Sequence, residues 1–193
     1  READRYGFNN LIAAGYDPRG MGEMFENMAK TRKLSGDNPP EFLLTHPITS
    51  SRVSDAFNAA ERIEFSGGKK NTINFEFIKG RLKTRYYSSS PQAAARYFKN
   101  LYLESPSNEN KYAYISALKA NGEAEEAIKL INEMLEKFPK NLILNITKSE
   151  IFLYEQRLDD ALKDINKVLN ISPKNYPASI IKSKILSAQK ETI

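Results

Sequence analysis

The chain has no cysteine, no tryptophan and a single histidine in 193 residues. Without Cys there is no thiol nucleophile, no disulfide framework and no thiolate metal site. One His excludes a metal site built on two imidazoles of this chain. There is no uninterrupted apolar stretch long enough for a membrane-spanning helix. Charge of one sign is lacking too: 29 Lys+Arg stand against 24 Asp+Glu, a net +5. The basic residues are interleaved with acids along the chain rather than gathered into a stripe, so a nucleic-acid partner is not expected. Missing Cys suits oxidising and reducing compartments alike and points to neither. What is present, 40% hydrophobic and 27% charged residues, is the balance of a folded chain rather than a disordered one.

The chain opens on Arg1-Glu2-Ala3-Asp4-Arg5. Apolar residues recur at Ala3, Tyr6, Leu11 and Ala14, a helical face that begins mid-helix. This reads as an internal fragment, in which a missing targeting signal carries no information. Residues 1 to about 65 hold short helices broken by Gly and Pro. Gly15 suits a left-handed helix end. Asp17-Pro18 reads as a cap with proline in the first turn of the next helix. Met21, Met24, Phe25 and Met28 recur at three- and four-residue spacing. That stripe is either a buried helix face, the more common outcome, or a Met-rich surface able to recruit a second copy. Ser35 to Pro40 is a loop, because Pro39 and Pro40 deny it helix and sheet. A further helix starts near Thr49 or Ser50 and runs to about Ile63. Residues 66–72, with Gly67 and Gly68, read as a linker.

From about residue 73 the pattern repeats. Ala127, Ile131, Leu135 and Pro139 recur as Ala161, Ile165, Leu169 and Pro173, each displaced by 34. This is the tetratricopeptide period. The small residue allows close approach of two helices, the aliphatic ones bury a face, and the proline ends the second helix. Ala94, Phe98 and Pro106 form an earlier, degraded copy, with a first helix over Ile73 to Tyr86. Ala178 to Gln189 reads as one more first helix. Departures exist: Lys111 and Asn145 stand where a large aromatic is usual, and Gln156 replaces the turn glycine Gly122. The expected fold is therefore all-α: short helices in 1–65, then about three tetratricopeptide repeats and a final helix in 73–193, stacked as an α-α superhelix. Its concave side is a protein- or peptide-binding surface. The candidate contact residues are Tyr112, Lys119, Asn145, Lys148 and Phe152, some of which must belong to the core. Tyr86-Tyr87 is either an exposed anchor or a packed helix end.

Three stretches of the first region carry a resemblance: Glu2-Ala3-Asp4-Arg5-Tyr6-Gly7, Ala14-Gly15-Tyr16-Asp17-Pro18, and Phe42-Leu43-Leu44-Thr45-His46-Pro47 followed by Ser51-Arg52. In order and spacing they resemble the end of the catalytic domain of a family of zinc metallopeptidases. That family carries a His-Glu-x-x-His helix and a Glu-x-x-x-Asp helix, and several bacterial members are envelope proteins with a tetratricopeptide tail. The resemblance implies metal-assisted peptide hydrolysis, periplasmic localisation, and a role in outer-membrane protein quality control. The repeats would bind substrates or partners such as the outer-membrane protein assembly machinery. Asp4 aligns with the Asp of the second motif. The resemblance implies that it orients a zinc-ligating His or assists proton transfer; otherwise it is a first-turn acid or a partner of Arg1 or Arg5. The ligating Glu would fall one residue before Arg1, and Glu2 is in the wrong register to replace it. Zinc is thus expected in the intact protein and not in this chain, which alone is expected to be inactive. His46 is by default a structural loop residue; the resemblance makes it a candidate auxiliary zinc ligand that blocks the metal's open position. Arg52 is expected to pair with Asp4 or Glu2, or to sit on the surface. The competing readings are a non-enzymatic tetratricopeptide adaptor and a chaperone-like scaffold.

Overall fold

The computed structural model describes residues 2–34, 50–66, 68–69, 72–87 and 90–191. Among them are ten helices: α1 (Glu2–Ala13), α2 (Arg19–Leu34), α3 (Ser50–Glu61), α4 (Ile73–Arg85), α5 (Pro91–Glu104), α6 (Asn108–Asn121), α7 (Ala124–Lys137), α8 (Leu142–Tyr154), α9 (Leu158–Ile171) and α10 (Tyr176–Glu191). The architecture is all-α, as the periodicity predicts. The chain divides into two compact units, Arg1–Asn71 and Thr72–Ile193. No described helix is long and apolar enough to cross a membrane.

In the first unit α2 packs on α3. α1 ends at Gly15, whose φ of 81° lets its N–H reach Ile12 O (2.8 Å) while the Tyr16 N–H reaches Leu11 O (3.0 Å). Those bonds satisfy the last carbonyls of the helix, which is why glycine stands there. Asp17 then accepts the Arg19 N–H on its side chain (2.9 Å) and starts α2. The two helices meet at Gly22, where a Cβ would fall 2.7 Å from the Phe57 ring. Buried apolar side chains here are Phe8, Phe25, Ala56 and Ala60. The methionine stripe is split: Phe25 is buried, but Met24 and Met28 are each 48% exposed. It is therefore not the uniformly buried face that the spacing favours, because α3 covers only one edge of α2.

The second unit is a stack of helical pairs. α4 and α5 both pack on α6, α6 on α7, α7 on α8, α8 on α9, and α9 and α8 on α10. The small residues of the 34-residue beat, Ala127 and Ala161, are fully buried, as are Ile131 and Ile165. Where they lie, the partner helix comes close: Ser149 on α8 donates its hydroxyl to the Ala161 carbonyl on α9 (2.8 Å). Helix entry repeats at the same interval. Ser107, Asn141 and Asn175 each accept, on the side chain, the N–H three residues ahead (Asn110, Leu144 and Ala178). The turns repeat as well. Gly122 and Glu123 bond back to Lys119 and Leu118; Gln156 and Arg157 bond back to Leu153 and Phe152. Gln156 does this at φ 58°, in the left-handed region that Gly122 enters at 78°. A residue with a Cβ is strained there, so the turn geometry is imposed by the stack. The degraded first repeat closes differently. Gly80 on α4 lies against α6, where a Cβ would fall 2.5 Å from the Glu109 carbonyl oxygen.

Candidate functional site

Asp4 in the first turn of α1 and Arg52 in the first turn of α3 form a two-pronged ion pair. Arg52 Nη2 donates to Asp4 Oδ1 (2.7 Å) and Nε to Oδ2 (2.8 Å). Both side chains are about a quarter exposed or less (24% and 22%). Below them the guanidinium lies over the Phe25 ring, 4.5 Å from its centroid, an attractive face for a planar cation. A planar fork matched to a carboxylate fixes position as well as charge. The hydrogen bonds from Arg52 hold the Asp4 carboxyl below its ordinary 3.8, against the opposing effect of partial burial. Asp4 is thus a carboxylate at neutral pH, fixed in orientation. The pair edges a 180 Å³ cleft, whose floor and walls include Phe8, Met21, Phe25 and Asp55. Of the partners open to Asp4 in the sequence, Arg52 pairs with it, and Arg1 lies outside the described residues. The Arg5 guanidinium instead lies near the Tyr6 ring, 5.8 Å from its centroid.

In the second unit the candidate contact residues fall into two groups. Tyr112, Asn145 and Phe152 are buried, at 0%, 4% and 5% exposure. Tyr112 stacks on Phe77 (centroids 4.9 Å apart). Its hydroxyl lies 2.6 Å from Thr147 Oγ1 and 3.0 Å from Arg81 Nη2. Thr147 donates its own proton to the Ile143 carbonyl (2.9 Å), so the tyrosine must donate to Thr147 and accept from Arg81. This relay ties α4, α6 and α8 together. Asn145 spends its amide on the Asn141 carbonyl (2.8 Å). Phe152 belongs to the cluster with Ala161, Ile165 and Ile185. These three side chains are core because the first helix of each pair is covered on more than one side. Lys119 and Lys148 stay partly exposed and are paired with Glu150 and Asp164. Lys111 pairs with Glu133, which lowers the Glu133 pKa, and Lys83 and Lys79 pair with Glu109. Burial would raise the Glu109 pKa, but the two lysines outweigh it and hold it low. These five lysines are each matched by an acid on another helix. Tyr86 is 79% exposed, whereas Tyr87 stacks on Tyr97 (4.8 Å) and meets Phe98 edge-on.

No family model matches the chain. Curated proteins do, among them these two. The beta-barrel assembly-enhancing protease of Yersinia pestis is 31% identical over 147 residues, 74% of this chain and 29% of that protein. The protein of the same name from Escherichia coli K12 is 41% identical over 63 residues, 33% of this chain and 13% of that protein. The chain is distantly homologous to beta-barrel assembly-enhancing proteases over part of its length. It spans less than a third of the length of either.

For a relative of these proteases the donor atoms at Asp4 matter. Among the described residues no group of three or more His, Asp or Glu side chains is arranged to hold a metal ion. Both Asp4 oxygens already accept from a guanidinium, a poor state for a metal ligand. The donors described around Asp4 therefore do not fit a zinc ion, and no chemical step is routed through one here. His46, the candidate auxiliary ligand, lies outside the described residues. The residues missed by the sequence reading are those that only packing assembles: Arg81, Thr147, Glu150 and Asp164. Thr147 sits three before Glu150 on one helix face, a spacing that offers a weak signal.

Proposed function

We propose that this chain is the C-terminal part of a zinc-dependent metalloendopeptidase of the bacterial cell envelope. In this reading the first unit forms part of the wall of the catalytic centre, and the repeats dock protein substrates or partners such as the outer-membrane protein assembly machinery. The observation that carries it is the Asp4–Arg52 pair, set beside the homology to beta-barrel assembly-enhancing proteases. A carboxylate that is ionised and gripped at both oxygens is suited to orient a neighbouring group and poorly suited to carry a proton near neutral pH. Asp4 is thus assigned as a positioning residue, held by Arg52, rather than as a general acid. His46 is assigned as an auxiliary ligand that restrains the longer enzyme.

The test is made in the longer protein, with a protein substrate and metal analysis. Asp4→Asn should lower kcat by about tenfold or more with zinc content and fold retained, and Arg52→Lys should fall between it and the parent. Equal activity in Asp4→Asn, or loss of activity only through loss of fold, contradicts the assignment. His46→Ala should raise proteolysis; unchanged or lower activity contradicts the restraint.

A further inference from the structure

From α5 to α10 each helix packs on the next, but α4 and α5 share no extended contact. α4 runs along α6 instead, although α6 and α8, neighbouring first helices, share no extended contact of their own. It lies on the face that these two first helices form. The Asn141 side chain at the entry of α8 donates to Asn74 (2.8 Å). Phe77 stacks on Tyr112, and Arg81 donates to the Tyr112 hydroxyl, which reaches on to Thr147 of α8. Tyr112, a contact candidate from the sequence, is thus covered by a helix of its own chain.

What holds α4 there is largely polar. Its buried residues are Phe77 and Gly80, where α7 buries Leu130, Ile131 and Met134 beside two alanines. Phe75, Ile78 and Leu82, on the side opposite Phe77 and Gly80, are each nearly half exposed. The other ties are Lys79 and Lys83 to Glu109, Lys83 to Asn110, and Arg81 to Tyr112.

We propose that α4 is an exchangeable, built-in occupant of the surface on which the repeats dock a partner helix. The inference rests on the reading of the repeats as a docking surface. α4 displays the chemistry that this surface accepts. An aromatic residue stacks on Tyr112. Glycine three positions later passes the α6 backbone, and arginine at the fourth reaches the Tyr112 hydroxyl. Lysines two and six positions after the aromatic face Glu109. A partner helix with that pattern displaces α4; without one, α4 shields the surface. Helix-in-groove recognition reads anchors at such three- and four-residue spacing.

The probe is a labelled peptide of residues 72–87, titrated with the whole chain by fluorescence anisotropy. In the parent chain the tethered α4 competes at high effective concentration, so binding is weak. Gly80→Ala in the chain unseats its own α4 and leaves the surface intact, so the peptide should bind about tenfold tighter or more. Phe77→Ala in the chain should act in the same direction. The peptide carrying Gly80→Ala should not bind. Hydrogen exchange of both chain variants should rise in α4 while α8 and α9 keep their protection. Absence of saturable binding to either variant overturns the proposal. So does equal affinity for parent and variants, or equal affinity of the two peptides, since the peptide would then sit elsewhere. Protection lost in α8 and α9 together with α4 overturns it too, because the stack would then depend on α4 as core. The assay involves no proteolysis, so its failure leaves the protease reading standing, and failure of the Asp4 or His46 variants leaves this inference standing.

Discussion

The two units are held together by different means. In the second, burial recurs every 34 residues: Ala127 and Ala161, Ile131 and Ile165, the caps at Ser107, Asn141 and Asn175, and the turns at Gly122 and Gln156. Each helical pair buries its apolar face on its neighbours, so no single contact decides the fold. Among the described residues of the first unit few side chains are buried, two methionines of α2 are half exposed, and the Asp4–Arg52 ion pair joins α1 to α3. A repeating interface tolerates a poor residue at one position, as at Gln156. The polar chemistry differs too: five lysines of the repeats pair with acids on other helices, while in the first unit the Asp4–Arg52 pair lies beside a cleft.

Substitutions sharpen this contrast. Ile131→Ala, at a fully buried position, should destabilise the second unit by about 2–5 kcal/mol in chemical denaturation. Met28→Ala, at a 48% exposed one, should change the first by less than about 0.5 kcal/mol. Similar losses at the two sites would break the comparison. Gly80→Ala drives a Cβ toward the α6 backbone and should destabilise by about 1–3 kcal/mol, with amide exchange rising in α4 and α6. Arg52→Ala should weaken the first unit by about 1–2 kcal/mol and leave exchange in α8 and α9 unchanged. The pH dependence has a definite sign. The folded Asp4 pKa lies below its unfolded value, so its stabilisation is complete above that unfolded value and is lost as pH falls through the folded one. An acid titration of Arg52→Ala should lack that loss. One effect has the opposite direction: Gln156→Gly should stabilise the second unit by about 1 kcal/mol, by removing left-handed strain.

Legibility followed the same division. The buried positions of α7 and α9 could be read from spacing because each of these helices buries one stripe. α4 begins at Ile73 and Gly15 ends α1 left-handed, both as expected from the residues. The first helices of the pairs were harder. α6 and α8 are covered on more than one side, so apolar and polar residues alternate without a clean stripe, and Tyr112, Asn145 and Phe152 could not be separated from surface residues. Ser107, Asn141 and Asn175 were visible in the sequence as a 34-residue series of caps, but short polar residues are common outside helices too. The Asp4–Arg52 pair spans 48 positions. Charge alone left Asp4 and Glu2 as equal partners for Arg52; only the approach of α1 to α3 decides between them.

The proposed function implies a division of labour, the first unit serving the catalytic centre and the repeats serving the substrate. It is tested most directly in the longer protein by deleting residues 72–193 and comparing two substrates, a short unstructured peptide and a whole protein. The account predicts that peptide hydrolysis is kept while turnover of the protein substrate falls by about tenfold or more. Equal loss on both substrates, or no loss on either, would contradict it.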